Sequence, residues 1–228
     1  MKKSTIACIT LPLVLLSTIA CNRGKAADTE NSIDKTETVK TDSIQEKTVL
    51  TIDTLDFNKR MVAMSNNDTT GRWPVKAPHP LPGALLPYNR IIAYYGNLYS
   101  TRMGILGELP RKEMLAKLQG EVAKWQAADS TVKAIPALHY IAAQGAPGKD
   151  NKHRMRMPFK QIDTIISWAK PINALVFLDI QVGHSSVKTE VNELASYLSM
   201  PNVHLGIDPE FSMKGGERPG SKIGHFTA

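Results

Sequence analysis

Ala174-Leu175-Val176-Phe177-Leu178-Asp179-Ile180-Gln181 is an apolar run that ends on a carboxylate and an amide. Its length suits a strand, and its unbroken apolar character suits one covered on both faces, as in a parallel sheet. The residues around it decide which sheet. Upstream, Ile162, Ile165, Ile166 and Ala169 recur at helical spacing over about 158–169. Downstream, Ser185 or Ser186 can cap a helix carrying Val187, Val191, Leu194, Ala195 and Leu198. Pro201 stops that helix, and Val203 to Asp208 forms the next strand.

The alternation extends toward the N-terminus. Ile91-Ile92-Ala93-Tyr94-Tyr95 closed by Gly96 is a buried strand. A helix over 110–126 opens on Pro110, which suits the first helical position, with Leu115, Leu118, Val122 and Trp125 as its buried stripe. A strand over 132–141 contains Pro136, which removes a ladder donor. Strand and helix in strict alternation predict an α/β domain of parallel βα units over 90–228. Strand starts near Ile91, Ala134, Leu175 and Val203 fit four of the eight units of a (β/α)8 barrel, so half a barrel in a truncated chain is expected. A small open doubly wound sheet is the alternative.

The chain begins with Lys2 and Lys3, then a largely apolar run from Ile6 to Ala20, the pattern of an export signal over 1–20. That run is too short to span a bilayer, which takes roughly 20 apolar residues. It closes Ser17-Thr18-Ile19-Ala20-Cys21, which resembles the lipobox of bacterial lipoproteins, with Thr18 where an aliphatic residue is usual. Lipidation of Cys21 would tether the protein to a membrane of the bacterial cell envelope. The same pentapeptide stands at Ser4 to Cys8, but cleavage there would leave no apolar segment. Cys8 and Cys21 are the only cysteines, so the folded part has no disulfide, thiol nucleophile or cysteine-based zinc site.

Residues 21–60 are mostly polar and lack a core, which predicts a disordered tether. Residues 61–89, with Trp73, Pro74, Pro78, Pro80, Pro82 and Pro87, predict an irregular lead-in. The net charge of +7 falls to +5 without the signal. The densest basic stretch, Lys149 to Arg156, reads as a wet loop with no aromatic stacker, which argues against a nucleic-acid surface. Contact with an anionic envelope polymer is the weaker expectation for that loop.

Ile91 to Gly96, Leu175 to Gln181 and Val203-His204-Leu205-Gly206-Ile207-Asp208-Pro209-Glu210-Phe211 are similar to a family of uncharacterised bacterial lipoproteins, in which an "LDxQ" strand precedes an "LDPEW"-like strand end. Phe211 stands where that family often has Trp. The resemblance runs from about Arg90 to the C-terminus. It implies a TIM-barrel, glycoside-hydrolase-like shape, a chain that continues further, and no established activity.

Parallel sheets gather functional groups where their strands end. Alternation puts Leu175, Phe177, Asp179 and Gln181 on one face, and His204, Gly206 and Asp208 on the corresponding face of the last strand. Asp179, Asp208 and Glu210 are therefore the candidate catalytic carboxylates. Gln181, His139 and Tyr94 or Tyr95 are candidate substrate-binding groups at the same mouth. A carboxylate ending an apolar strand must be satisfied by a ligand or by the scaffold, and for His139 a satisfied interior histidine is the stronger expectation. Three functions compete. One is a glycoside-hydrolase-like enzyme, with Glu210 or Asp208 as acid/base and its partner carboxylate on a later strand. Another is a tethered, non-catalytic binding module for glycan or another envelope component. The third, a metal-dependent hydrolase using Asp179, His184, Asp208 or His139, ranks last, because no HxxEH or HxH spacing supports it. No metal site or cofactor is expected: there is no Gly-rich phosphate loop and no GxSxG elbow.

Overall fold

The computed structural model describes residues 51–68, 70 and 78–226. All belong to the unit Val49–Ala228. The export signal, Cys21 and the tether up to residue 50 lie outside the described residues, as do Trp73 and Pro74 of the lead-in. No helix among the described residues is long and apolar enough to cross a membrane.

The elements in order are α1 (Thr54–Met64), β1 (Asn89–Gly96), α2 (Ile105–Glu108), α3 (Arg111–Ala128), β2 (Lys133–Gln144), β3 (Met155–Arg156), α4 (Phe159–Ala169), β4 (Leu175–Ile180), α5 (Val187–Glu193), α6 (Ala195–Leu198) and β5 (Val203–Ile207). The sheet runs β1-β2-β4-β5, with every pairing along that path parallel. β3 adds a short antiparallel pairing at the far end of β2. Neighbours in sequence are neighbours in space, so the order does not reverse among the described strands as it does in a doubly wound sheet. Right-handed crossovers that always step the same way lay their helices on one face. Leu138, Tyr140, Val176, Leu178 and Val203 face α3, α4 and α6 in one buried cluster. β4 lies between two strands, but helices cover only one of its faces: Val176 and Leu178 are buried in the core, while Leu175 and Phe177 on the other face are half-buried, so the expected covering of both faces is not seen among the described residues. Pro136 causes no break, because the β2–β4 ladder begins one residue later at Ala137.

Several expectations change. The proposed tether and lead-in meet at residue 60, inside α1. That helix buries no residue, so no apolar stripe marks it. It is held locally: the Asp53 carboxylate accepts from the Leu55 and Asp56 amides at 2.9 and 3.0 Å, and Arg60 pairs with Asp56 one turn away. On α3, Met114, Leu115 and Leu118 are buried, whereas Trp125 is exposed, with the Arg90 guanidinium 5.4 Å above its ring. The single helix expected after Ser186 is broken at Leu194 into α5 and α6.

The basic loop is not wholly wet. Arg154 is buried, with its Nε 2.8 Å from Glu190 Oε1, and Glu190 is itself buried. The approach is off the hydrogen-bonding angle, so the attraction is coulombic. Arg156 donates from Nε to the other Glu190 oxygen at 2.9 Å, and Ser185 also donates to Glu190.

Candidate functional site

The sheet face turned away from the helices carries the site. One register row crosses all four long strands: Tyr95 pairs with His139, His139 with Phe177, and Phe177 with His204. All four side chains are rings. Their centroids are 5.0, 5.6 and 5.3 Å apart from one strand to the next, the first pair edge-to-face and the others tilted. Two residues further along the strands, Asp179 pairs with Gly206. Beyond them lie Gln181 and Asp208, just past the ends of β4 and β5. The site thus has a floor of rings and a polar rim at the C-terminal edge of the sheet.

The rim is a connected network. The Tyr95 hydroxyl lies 3.3 Å from Asp179 Oδ2 and 3.2 Å from Asp208 Oδ2, so it joins the carboxylates of two adjacent strands. Gln181 donates from Nε2 to Asp208 Oδ2 at 2.8 Å and to the Tyr95 oxygen at 3.3 Å. Its own Oε1 accepts from the Gly145 amide at 2.8 Å, which fixes the way the amide points. Asp179 is 0% exposed, whereas Asp208 is half-buried. On the opposite side of Asp179, Oδ1 is 3.7 Å from His139 Nε2, beyond hydrogen-bonding reach, and both atoms are buried without a hydrogen-bond partner. His204 Nε2 is also buried and unpartnered.

Burial dominates the electrostatics. It pushes the Asp179 carboxyl above the ordinary carboxylate value; the His139 contact opposes this and the neighbouring Asp208 charge adds to it. Burial, then the two carboxylates, push the Tyr95 phenol far up, so it stays protonated throughout the physiological range. Burial pulls the His204 imidazole down, toward its neutral form.

A buried aspartate of this kind makes stability depend on pH. Asp179 binds its proton more tightly in the folded chain than in the unfolded one. Its contribution is therefore complete below the ordinary value near pH 4 and is lost as pH rises through the folded value. Relative to the wild type, Asp179→Asn should gain stability as pH climbs through that window. Urea unfolding of both proteins across the pH range measures this, and a stability difference independent of pH would refute it.

Gly206 makes the arrangement sterically feasible. A Cβ there would lie 2.8 Å from His139 Nε2 and 2.9 Å from Asp179 Oδ1. Gly206→Ala should cost about 1–3 kcal/mol, the usual range for an overfilled interior, and should drive the His139 ring from its place. Denaturation would report the first effect and the His139 ring proton shifts the second. An unchanged ring environment would show that the gap does not matter.

Of the residues expected at this mouth, the structure brings together Asp179, Asp208, Gln181, His139 and Tyr95. Tyr94 lies on the other face, packed against the helix-covered core. Glu210 is exposed on the 3-10 turn Pro209–Phe211 and does not join the rim network among the described residues. His184 sits in the loop after β4, with Nε2 2.7 Å from the Glu217 carbonyl and its ring 4.7 Å from that of His153. A cavity of about 600 Å³ opens beside that loop, between Gly183–Val187 and Ser212–Lys214, and none of the rim carboxylates lines it. The rim rather than this cavity holds the carboxylates; the ionisable groups lining the cavity are His184 and Lys214. Among the described residues, no group of three His, Cys, Asp or Glu side chains is placed to hold a metal ion. Phe177, His204 and Gly206 join the site with no functional signal of their own in the sequence; their signal is positional, Phe177 and His204 lying in the register row of His139 and Gly206 in that of Asp179.

Comparison with protein-family models, with curated proteins and with solved structures finds no match to the chain.

Proposed function

We propose that the protein is an exported, lipid-anchored component of the bacterial cell envelope that acts on glycans by carboxylate acid/base chemistry. Its βα domain would be the N-terminal half of a TIM-like (β/α)8 barrel, with the ring-lined face as the barrel interior. The sequential order of parallel strands supports that architecture. The observation that carries the chemistry is the Tyr95 hydroxyl held between Asp179 and Asp208 at the C-terminal edge of the sheet. Two carboxyl groups in unlike environments are what glycosidic bond cleavage requires, one kept as an acid and one as a base or nucleophile.

Asp208 is the member of the pair that reaches solvent, and it would protonate the leaving oxygen. Glu210, two residues on and exposed, is the nearest further carboxylate in the sequence for the base or nucleophile. The ring row would offer apolar surface to the C–H faces of a sugar. The Ser17-Thr18-Ile19-Ala20-Cys21 segment supports the membrane address.

The assay is release of new reducing ends from envelope polysaccharides by the full chain, read alongside equilibrium binding of the same polymers. Turnover supports the enzyme. Binding without new reducing ends supports the second candidate, a tethered binding module, which the complete burial of Asp179 favours because it leaves one reachable carboxylate in the pair. Neither binding nor turnover removes the glycan proposal. Cys21→Ser should move the protein from the membrane fraction to the soluble fraction; a variant that stays with membranes removes the lipid anchor.

A further inference from the structure

We propose that Asp179 stores a proton for the site and hands it to Asp208 through the Tyr95 hydroxyl, serving the chemistry without touching the substrate. This rests on Asp208 being the group that meets the glycan.

The rim holds too few donors for two ionised carboxylates. The Gln181 amide is pinned by the Gly145 N–H on its oxygen, so Nε2 is the end that faces the rim. Its two protons go to Asp208 Oδ2 and to the Tyr95 oxygen. Tyr95 then has one proton of its own and two carboxylate oxygens within 3.3 Å. With both carboxylates ionised, one of those contacts would set two acceptors against each other with no hydrogen between them, in a buried place where such a contact is costly. A single additional proton resolves it. Asp208 already accepts from Gln181 and is half-exposed, so it tolerates charge. Asp179 is wholly buried, and its Oδ1 has no donor. The proton therefore belongs on Asp179, which donates to the Tyr95 oxygen while Tyr95 donates to Asp208.

The charged and titratable groups around Asp179 are Tyr95 from β1, His139 from β2 and Asp208 after β5. Of these His139 and the Tyr95 hydroxyl are able to favour the ionised form; His139 Nε2 stands 3.7 Å off, and the one Tyr95 proton is taken by Asp208. Delivery is balanced: the Tyr95 proton moves to the ionised Asp208 as the Asp179 proton moves to the Tyr95 oxygen, and Asp208 passes the proton it has received to the substrate and is ionised again. Tyr95 ends unchanged, Asp179 ends ionised, and the return of one proton from solvent resets the chain.

The test needs no substrate. Infrared spectra of the full chain near neutral pH should contain the carbonyl stretch of one protonated, hydrogen-bonded carboxylic acid, which shifts in heavy water. Asp179→Asn should abolish that band. Asp208→Asn should leave it in place. Tyr95→Phe should move it to higher frequency, because the acid loses its acceptor. Circular dichroism checks that each variant is folded, and the wild-type spectrum decides the matter if Asp179→Asn does not fold. No acid band in the wild type, or a band lost with Asp208→Asn and kept with Asp179→Asn, overturns the proposal. Failure of the glycan reading is separate: it would leave the acid band present and polysaccharide turnover absent.

Discussion

Glu190→Ala should destabilise the domain by about 3–5 kcal/mol, the usual cost of stripping one partner from a buried ion pair. Glu190 is 1% exposed and the Arg154 side chain 7%. The carboxylate has Arg154 on one oxygen, Arg156 on the other and the Ser185 hydroxyl as a further donor. Removing it leaves the Arg154 guanidinium in the interior with one remaining anion, Asp150, at 2.8 Å and half-exposed. Substituting both members with apolar residues of similar volume, as in Arg154→Met with Glu190→Leu, should recover most of the loss, because the desolvation of two charges then disappears with their attraction. Equilibrium urea unfolding of the single and double variants measures both effects. A single-variant loss under about 1 kcal/mol would place the pair in the class of surface bridges. The consequence reaches the site. This cluster ties the loop before β3 to α5, and the same loop takes the His184 N–H on the Lys152 carbonyl at 2.7 Å. Gly183, at φ +56°, packs so close that a Cβ would lie 2.3 Å from the His153 carbonyl oxygen. The segment after β4, two residues beyond Gln181 of the rim, is thus held against the loop that the ion pair anchors.

How much of this was legible in advance follows from the range over which each feature is specified. β4, α4 and β5 carry their burial in their own periodicity, so the βα alternation and the direction of Asp179 and Gln181 were readable residue by residue. α1 was not, because its signal is a cap and an i,i+4 pair in a segment with nothing to bury. Tyr94 and Tyr95 are adjacent apolar-leaning residues on an edge strand, and composition alone does not say which faces the helices; the packing of Tyr94 against the core decides it. The burial of Arg154 is not legible within the basic loop, because its partner lies on a helix 36 positions downstream. Gly206 was visible as a residue facing the site, but its role as a gap exists only once His139 and Asp179 are set against it from two other strands. The carboxylate network is of the same kind: each member sat at a predictable strand end, while the shared Tyr95 hydroxyl comes from a residue 113 positions before Asp208.

Asp208→Asn should lower any glycan turnover by about 10²–10⁴-fold, the usual share of a positioned general acid or base, with little change in substrate affinity or fold. The substitution is close to isosteric. Oδ2 accepts from Gln181 at 2.8 Å and faces the Tyr95 hydroxyl at 3.2 Å, and an amide oxygen in that place keeps both partners. What the amide lacks is a proton to give and take at the pH of the reaction. The loss should therefore fall on kcat, since substrate binding to the ring row is untouched. Glu210→Gln should also abolish turnover if Glu210 supplies the second carboxylate, and because it is exposed and outside the network the fold should be indifferent to the change. Asp179→Asn is expected to behave differently: with the proton store gone but Asp208 still able to exchange with solvent, turnover should fall less and the alkaline limb of its pH profile should move, because a proton donor is lost as pH rises. Retained turnover in both Asp208→Asn and Glu210→Gln would remove carboxylate catalysis at this mouth and leave the ring-lined face as a place where glycan is held rather than cut.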